Sequence, residues 1–330
     1  MTHFADQMGL PEGLPRFKGN LHSHTVNSDG RWTPEQAVAA YRAHGYQFLC
    51  LSEHDLFTDL SSAFDADDFI ILPGIEASAV LVSDDEHEAR LATHHIHGIL
   101  GTDEMVAAAP RHFTHGERLE PPVYRGSWDG RAAAQQVIDE LAARGCAVMY
   151  NHPIWSRVDP SDVVGLTGCF AIEVHNFGTV EECALGHDTL FWDLMLRRGQ
   201  RLGGVASDDN HNGPGLPDSF GGWVVVCAPE LTRDAVVRAL VGGAFYASSG
   251  PVIENWGVRD GRAWVACGPC ERVNLVAGGP VGVGETRLTL DGAPLEYAEF
   301  ELRGTETYLR FECVDAAGRT AWSNPVYPEA

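Results

Sequence analysis

The run Tyr46-Gln47-Phe48-Leu49-Cys50-Leu51-Ser52-Glu53-His54-Asp55 decides the fold class. It is a nearly unbroken apolar stretch that ends in three polar residues. Such a stretch, without alternation, fits a strand buried on both faces, as in a parallel sheet. Polar groups at the C-terminal end of a parallel strand lie where α/β proteins build their sites. The design recurs along the chain. Phe69 to Leu72 runs into Pro73-Gly74-Ile75-Glu76, and Cys146 to Tyr150 into Asn151-His152-Pro153. Ala171 to His175 ends at His175-Asn176, and Leu202 to Ala206 at Ser207-Asp208-Asp209-Asn210-His211. In His94-His95-Ile96-His97 a strand places His95 and His97 on one face and His94 on the other. The earliest strand, Phe17 to His24, carries His22 and His24 on one face, with Asp29 on the loop that follows.

Helical signals separate these strands. Thr33-Pro34-Glu35-Gln36 reads as an N-cap, a proline at the first helical position and a capping box, and Gly45 ends that helix. Further helices are predicted over Ser127 to Gly145, Leu190 to Arg198 and Thr232 to Val241. About seven β-then-α units over residues 17 to 248 give the alternation of a barrel or a doubly wound sheet. A barrel is expected, because polar residues from five or more strands must meet at one point, whereas an open sheet offers a single crevice. Residues 17–250 are therefore assigned to a barrel, and residues 1–16 to an arm lying on it. Within the barrel, residues 102–130 carry prolines and little periodicity and form a candidate lid. After Gly250-Pro251, short alternating stretches and turns such as Asp291-Gly292 and Ala317-Gly318 predict a small antiparallel β-sandwich over 251–330, with Trp322 as a packing residue.

Composition limits the partners. The 330 residues hold 23 Lys plus Arg against 46 Asp plus Glu, a formal charge of -23. That excess argues against long nucleic acids and anionic membranes, but not against a small anion bound beside metal ions. No apolar run is long enough to cross a bilayer and no signal peptide is visible, so a cytoplasmic protein with reduced thiols is expected. Eight cysteines include one CxxC, Cys267 to Cys270, read as a turn between strands.

Seven of the fifteen histidines would converge at one mouth, and chance placement would not set them all after buried strands. Imidazole and carboxylate together suit zinc, manganese or iron. His22-Ser23-His24-Thr25 through Ser28-Asp29-Gly30, then Glu53-His54-Asp55, Pro73-Gly74-Ile75-Glu76, His95-Ile96, Asn151-His152-Pro153 and Asp209-Asn210-His211 resemble the motifs of the PHP (polymerase and histidinol phosphatase) family of metal-dependent hydrolases. The resemblance spans residues 17–248. It implies a distorted (β/α)7 TIM-like barrel with two or three divalent metals at its strand ends, in the two-domain type that carries a C-terminal β-sandwich. By position, one metal would take His22, His24, Glu76 and Asp209. A second would share Glu76 and add His95 and His152, and a third would take Asp29, His54 and His211. A bridging carboxylate suits ions roughly 3.5–4 Å apart. Three features depart from the family pattern: Ser-Glu-His replaces Thr-Asp-His, Asp208 is an additional acid, and His97 stands where an apolar residue is usual.

The implied activity is hydrolysis of a small phosphorylated substrate by a hydroxide bridging the metals. Two or three dications outweigh three ligand carboxylates, which favours an anionic substrate over a neutral amide. His175, His97 and Asp208 are candidates to protonate the leaving group, and Arg157 to clamp a phosphate oxygen. The alternatives are an amide, ester or carbamate hydrolase on the same metals, or a non-catalytic metal-binding module.

Overall fold

Phe48, Leu49, Cys50 and Leu51 are fully buried and form a strand with parallel neighbours on both sides, Arg16–Asn20 and Ile70–Val82. The missing alternation reflects burial on both faces. Phe48 and Cys50 pack with Leu21 and Leu72, whereas Leu49 and Leu51 meet Ala37 and Tyr41 of the helix Pro34–Ala43. That helix starts at the predicted capping box, Thr33 with Gln36. The computed structural model describes residues 2–290 and 292–329; Asp291, half of one expected turn, lies outside the described residues.

The chain is a mixed α/β protein built on one long sheet, much of it parallel. Arg16–Asn20, Phe48–Leu51 and Ile70–Val82 form one parallel run. Cys146–Tyr150, Cys169–Asn176 and Gly203–Ser207 form another. Arg90–Leu100 joins them, antiparallel to Ile70–Val82 on one side and to Cys146–Tyr150 on the other. Beyond the strand ends, the first and last members of this path meet. Asp209 N donates to His22 O at 3.0 Å, and His24 N to Asn210 O at 3.1 Å.

The path departs from strict β-then-α alternation in two places. The strand expected to stop at Leu72 continues to Val82, so Glu76 lies inside it. Pro73 is the last residue paired with Phe48–Leu51, and Gly74 begins the ladder with Arg90–Leu100. A proline read as a strand stop is here the handover between two neighbours. Trp223–Cys227, in turn, runs antiparallel to Arg16–Asn20 and passes the sheet on to Phe245–Ser248 and the C-terminal strands.

The C-terminal region is antiparallel, as its alternation predicted. Ile253–Arg259, Arg262–Cys270 and Leu295–Glu301 form one sheet, to which Gln7–Met8 adds an edge. Within residues 1–16, Gln7–Met8 thus pairs with this region, while Pro15 O accepts from Ala228 N. Glu285–Leu288, Arg272–Gly278, Tyr308–Val314 and Thr320–Ser323 continue the long sheet. Trp256, Val265 and Phe300 of one sheet share a core with Leu275 and Phe311 of the other. Cys267 and Cys270 lie within a strand, at a register shift, not in a turn. Trp322 packs against His175, with ring centroids 5.5 Å apart. Among the described residues, no helix is long and apolar enough to cross a membrane.

Residues 102–130 include a short helix, Asp103–Ala108, and a strand, Val123–Arg125, that pairs with Ile70–Val82. Phe113 stacks on Phe57, and Leu119 N donates to Asp55 O. None of this segment lines the cavity described next.

Candidate metal centre

Most of the expected ligands lie just beyond a strand of the sheet; Glu76 and His95 lie inside one, and Asp29 on the loop that follows Arg16–Asn20. Asn20 fixes the first pair: its side-chain amide donates to His22 O at 2.8 Å, and its Oδ1 accepts from Asp208 N at 3.0 Å. The loop to Asp29 is folded over Glu53, which is fully buried. Glu53 accepts from Thr25 N at 3.1 Å and from the hydroxyls of Thr25 and Ser28. Gly30 closes the loop so tightly that a Cβ there would lie 2.5 Å from His24 O. His152 and Asp209 both have positive φ, 22° and 52°. Backbone strain of this kind costs about 1–3 kcal/mol and persists where surrounding structure enforces it. For Asp209 the enforcement is visible: Gly178 N donates to Asp208 O at 2.7 Å, and Asn176 Nδ2 donates to Asp209 Oδ2 at 3.0 Å.

These elements converge on Glu76, which is fully buried. Its Oε1 lies 3.1 Å from His22 Nε2 and 3.2 Å from both His95 Nδ1 and His152 Nε2. Its Oε2 lies 2.9 Å from His54 Nδ1 and 3.4 Å from His24 Nε2. Asp209 Oδ1 is 3.0 Å from both His22 Nε2 and His24 Nε2, which are 3.1 Å from each other. Nearer solvent, Asp29 lies 3.5 Å from His54 Nε2 and 3.3 Å from His211 Nε2.

Whether these residues suit a cation can be judged from their unpaired atoms. Glu76 Oε2, Asp209 Oδ1 and His95 Nδ1 are buried and make no hydrogen bond, despite the close contacts. Buried polar atoms are normally paired. Here lone pairs face shared points in space, the arrangement a cation satisfies. Four groupings among the described residues fit within one coordination sphere each: His22, His24, Glu76 and Asp209; His24, Asp29, His54 and His211; His54, Glu76 and His95; and His22, His152 and Glu173. The first is the set expected for one metal. The others differ in detail, with His54 reaching both Asp29 and Glu76 and His24 facing the outer group. Nitrogen and oxygen donors with no thiolate fit zinc, manganese or iron.

Burial opposes charge on all these groups, and their neighbours decide the outcome. Burial pushes His95 down to about 4. At His152 burial is outweighed by the hydrogen bond to Glu76 and the charge of Asp209, which lift it to about 9. At His211 burial gives way to Asp29 and Asp209, and the group again rises to about 9. His22 and His54 are also raised by carboxylates against burial. Glu76 and Asp209 stay well below the usual carboxylate range despite burial, because imidazoles surround them. In the metal-free protein, protons thus hold part of the positive charge that metal ions would bring.

The residues expected to touch substrate are placed elsewhere. His97 is fully buried beneath the cluster, its ring 4.6 Å from that of His22 and its Nδ1 2.9 Å from Asn151 Nδ2. It faces Glu76 across the hairpin, where His95 faces Ser78, and unlike His95 it does not line the cavity. His175 stacks on Trp322 with the His187 ring tilted beside it, and it does not line the cavity. Asp208 is taken up by four donors: Tyr41 Oη and the amides of Phe220, Gly221 and Gly222. Arg157, with φ 61°, lines a separate depression.

The cavity over the cluster has a volume of about 430 Å³, and Arg90, Trp155 and Glu182 line it beside the histidines. Arg90 is exposed and makes no ion pair among the described residues. Trp155 donates its indole N–H to Glu182 at 3.1 Å. Sequence reasoning missed these residues, and it also missed Glu173. The signal for Glu173 was present: an acid inside the apolar strand Ala171-Ile172-Glu173-Val174 must be paired.

No family model matches the chain, and no curated protein matches it. Solved structures do. One is a two-domain protein from Bacteroides vulgatus described as containing a predicted PHP-like metal-dependent phosphoesterase; it is 14% identical with a TM-score of 0.48, over 99% of this chain and 98% of that one. Another is an amidohydrolase from Chromobacterium violaceum with bound sulfate and no metal; it is 16% identical with a TM-score of 0.41, over 68% of this chain and 96% of that one.

Proposed function

We propose that the protein is a metal-dependent hydrolase of the PHP type, acting on a small phosphoester at the cavity over Glu76. The reading includes the rest of the family pattern: a distorted (β/α)7 barrel over residues 17–250 and a β-sandwich over 251–330. One observation carries the functional part. Five imidazoles surround the buried Glu76, with Asp209 beside two of them and Asp29 and His211 nearer solvent, and Glu76 Oε2, Asp209 Oδ1 and His95 Nδ1 make no hydrogen bond. Two or three divalent ions, zinc, manganese or iron, would be held by His22, His24, Asp29, His54, Glu76, His95, His152, Asp209 and His211. When bound, such ions supply Lewis acidity and a water that ionises near neutral pH.

The chain itself supplies the surroundings. Glu76 and Asp209 sit between imidazoles. Arg90 offers a cation at the rim, suited to an anionic group. Trp155, tied to Glu182, presents a fixed apolar wall beside His152, with ring centroids 5.1 Å apart. The acid excess of the whole chain fits a small substrate better than a long polyanion. The test combines elemental analysis of the purified protein with a panel of phosphomonoesters, phosphodiesters, aryl esters and carbamates. Bound divalent metal with metal-dependent phosphoester turnover is expected. A metal-loaded protein that hydrolyses only carbamates or aryl esters would move the assignment to the amide/ester class.

A further inference from the structure

Glu173 stands behind the cluster. The strand Cys169–Asn176 turns it inward, and it is fully buried. Its Oε1 lies 3.0 Å from His22 Nδ1 and accepts from the Ser207 hydroxyl. Its Oε2 accepts from His152 N at 3.1 Å and from Asn176 Nδ2 at 2.8 Å. Asn176 Nδ2 also reaches Asp209 Oδ2, so the glutamate is tied to residues at three strand ends. The two nitrogens of His22 are thereby divided. Nδ1 faces Glu173, while Nε2 faces Glu76, Asp209 and His24.

We propose that Glu173 is a positioning residue that holds His22 as its Nδ1–H tautomer, leaving the Nε2 lone pair for a divalent cation; this rests on the metal-dependent reading above. An ionised carboxylate only accepts hydrogen bonds, so the imidazole nitrogen facing it must carry hydrogen. A neutral imidazole with hydrogen on Nδ1 has its lone pair on Nε2. A carboxylate in this place also raises the basicity of the ligand. His152 shows the contrast. Its Nδ1 meets the Ser156 hydroxyl at 3.1 Å, and a hydroxyl can donate or accept, so it fixes no tautomer. Direct ligation by Glu173 is the competing role, since His22, His152 and Glu173 lie within one coordination sphere. Yet both oxygens of Glu173 are already occupied by donors, and His152 Nε2 points at Glu76.

The substitution Glu173→Gln separates these roles from mere packing. It preserves size but sets an NH₂ group against donors, whichever way the amide turns. Full-length protein is loaded with zinc, and affinity is measured by competition with a chromophoric chelator. The variant is expected to bind zinc about 10- to 100-fold more weakly than wild type. Nitrogen-15 spectra of the zinc-loaded wild type should show His22 protonated at Nδ1 with Nε2 bound, and the variant should lose that signature. Wild-type affinity in Glu173→Gln, or a His22 without hydrogen on Nδ1 in the wild type, overturns the proposal. If Glu173→Gln fails to fold, as judged by its near-ultraviolet circular dichroism, Glu173→Asp takes its place. It keeps the charge but withdraws the acceptor, and weaker zinc binding is again expected, with unchanged binding refuting the role. A wild-type protein that takes up no zinc, manganese or iron defeats the metal-dependent reading itself, an outcome distinct from equal uptake by wild type and variant.

Discussion

Glu76 and Asp208 are both fully buried acids at the same end of the sheet, and they have opposite surroundings. Asp208 is saturated. Tyr41 Oη donates to it at 2.6 Å, and the amides of Phe220, Gly221 and Gly222 donate at 2.8, 2.9 and 2.8 Å. Glu76 has one amide donor, Asn151 Nδ2 at 2.8 Å, and is otherwise ringed by imidazole nitrogens. Around Asp208 the fold supplies the compensation, so the acid is part of the scaffold. Around Glu76 the compensation comes from groups that either take up protons or bind a cation. Burial of an acid therefore says little about its role, and the kind of neighbour says much.

The largest effect should come from breaking the Glu76 side. Glu76→Gln is expected to lower bound metal and reduce kcat/KM at least ~10³-fold, because Lewis-acid stabilisation is worth several kcal/mol. Elemental analysis and turnover on the same preparation check this, and a variant with full metal content and wild-type turnover would remove Glu76 from the centre. Asp208→Asn should act differently. Its NH₂ must meet two of the donors that hold the carboxylate, which costs about 1–3 kcal/mol of stability. Turnover per folded molecule should persist. Urea titration measures the first quantity, and loss of turnover without loss of stability would return Asp208 to the chemistry.

The same contrast explains what the sequence disclosed. The expected ligand positions could be picked out because most follow a buried strand, with Glu76 and His95 inside one, and apolar runs alone reveal such strands. His22, Glu76, His152 and Asp209 fall together for that reason. Alternation also showed that His95 and His97 share a face, but not which lies at the mouth, since depth depends on the hairpin register that pairs Glu76 with His97. Asp208 reads from sequence as a candidate proton donor because its partners, Tyr41 and residues 220–222, reach it only through tertiary structure. Arg157 is close to His152 in sequence, yet with its positive φ it lines the adjoining depression. Arg90 entered the cavity from the far end of a strand that was legible only from His94 onward. The long Ile70–Val82 strand was cut short because Pro73 and Gly74 read as a stop.

Protons should compete with metal at this cluster. In the metal-free protein His152 and His211 each titrate at about 9, so both carry protons at pH 7. Metal binding must displace them. Affinity is therefore expected to rise with pH between 7 and 9, by about tenfold per unit for each proton released. The stability of the metal-free fold should move the other way. Folded-state values above the ordinary 6.5 contribute stability that is fully present below 6.5 and is lost as pH rises through 9. Chelator competition and metal-free thermal melts at pH 6.5, 7.5 and 9 test both signs. Affinity independent of pH over that range would mean that these imidazoles do not face the metal.

The smallest effect sharpens the comparison at the rim, between two exposed arginines. Arg90 lines the cavity, and Arg157 lines a neighbouring depression, which Arg90 also borders. If the substrate is an anion held over the cluster, Arg90→Ala should raise KM roughly fivefold, the equivalent of about 1 kcal/mol from one charge-assisted contact, with kcat little changed. Arg157→Ala should leave KM unaltered and change stability by no more than about 0.5 kcal/mol, as surface substitutions do. The KM for a phosphomonoester, measured for both variants at low and at moderate salt, decides between them. An Arg157 effect exceeding that of Arg90 would place the anion in the adjoining depression, and the leaving group would then lie along Trp155 and Glu182.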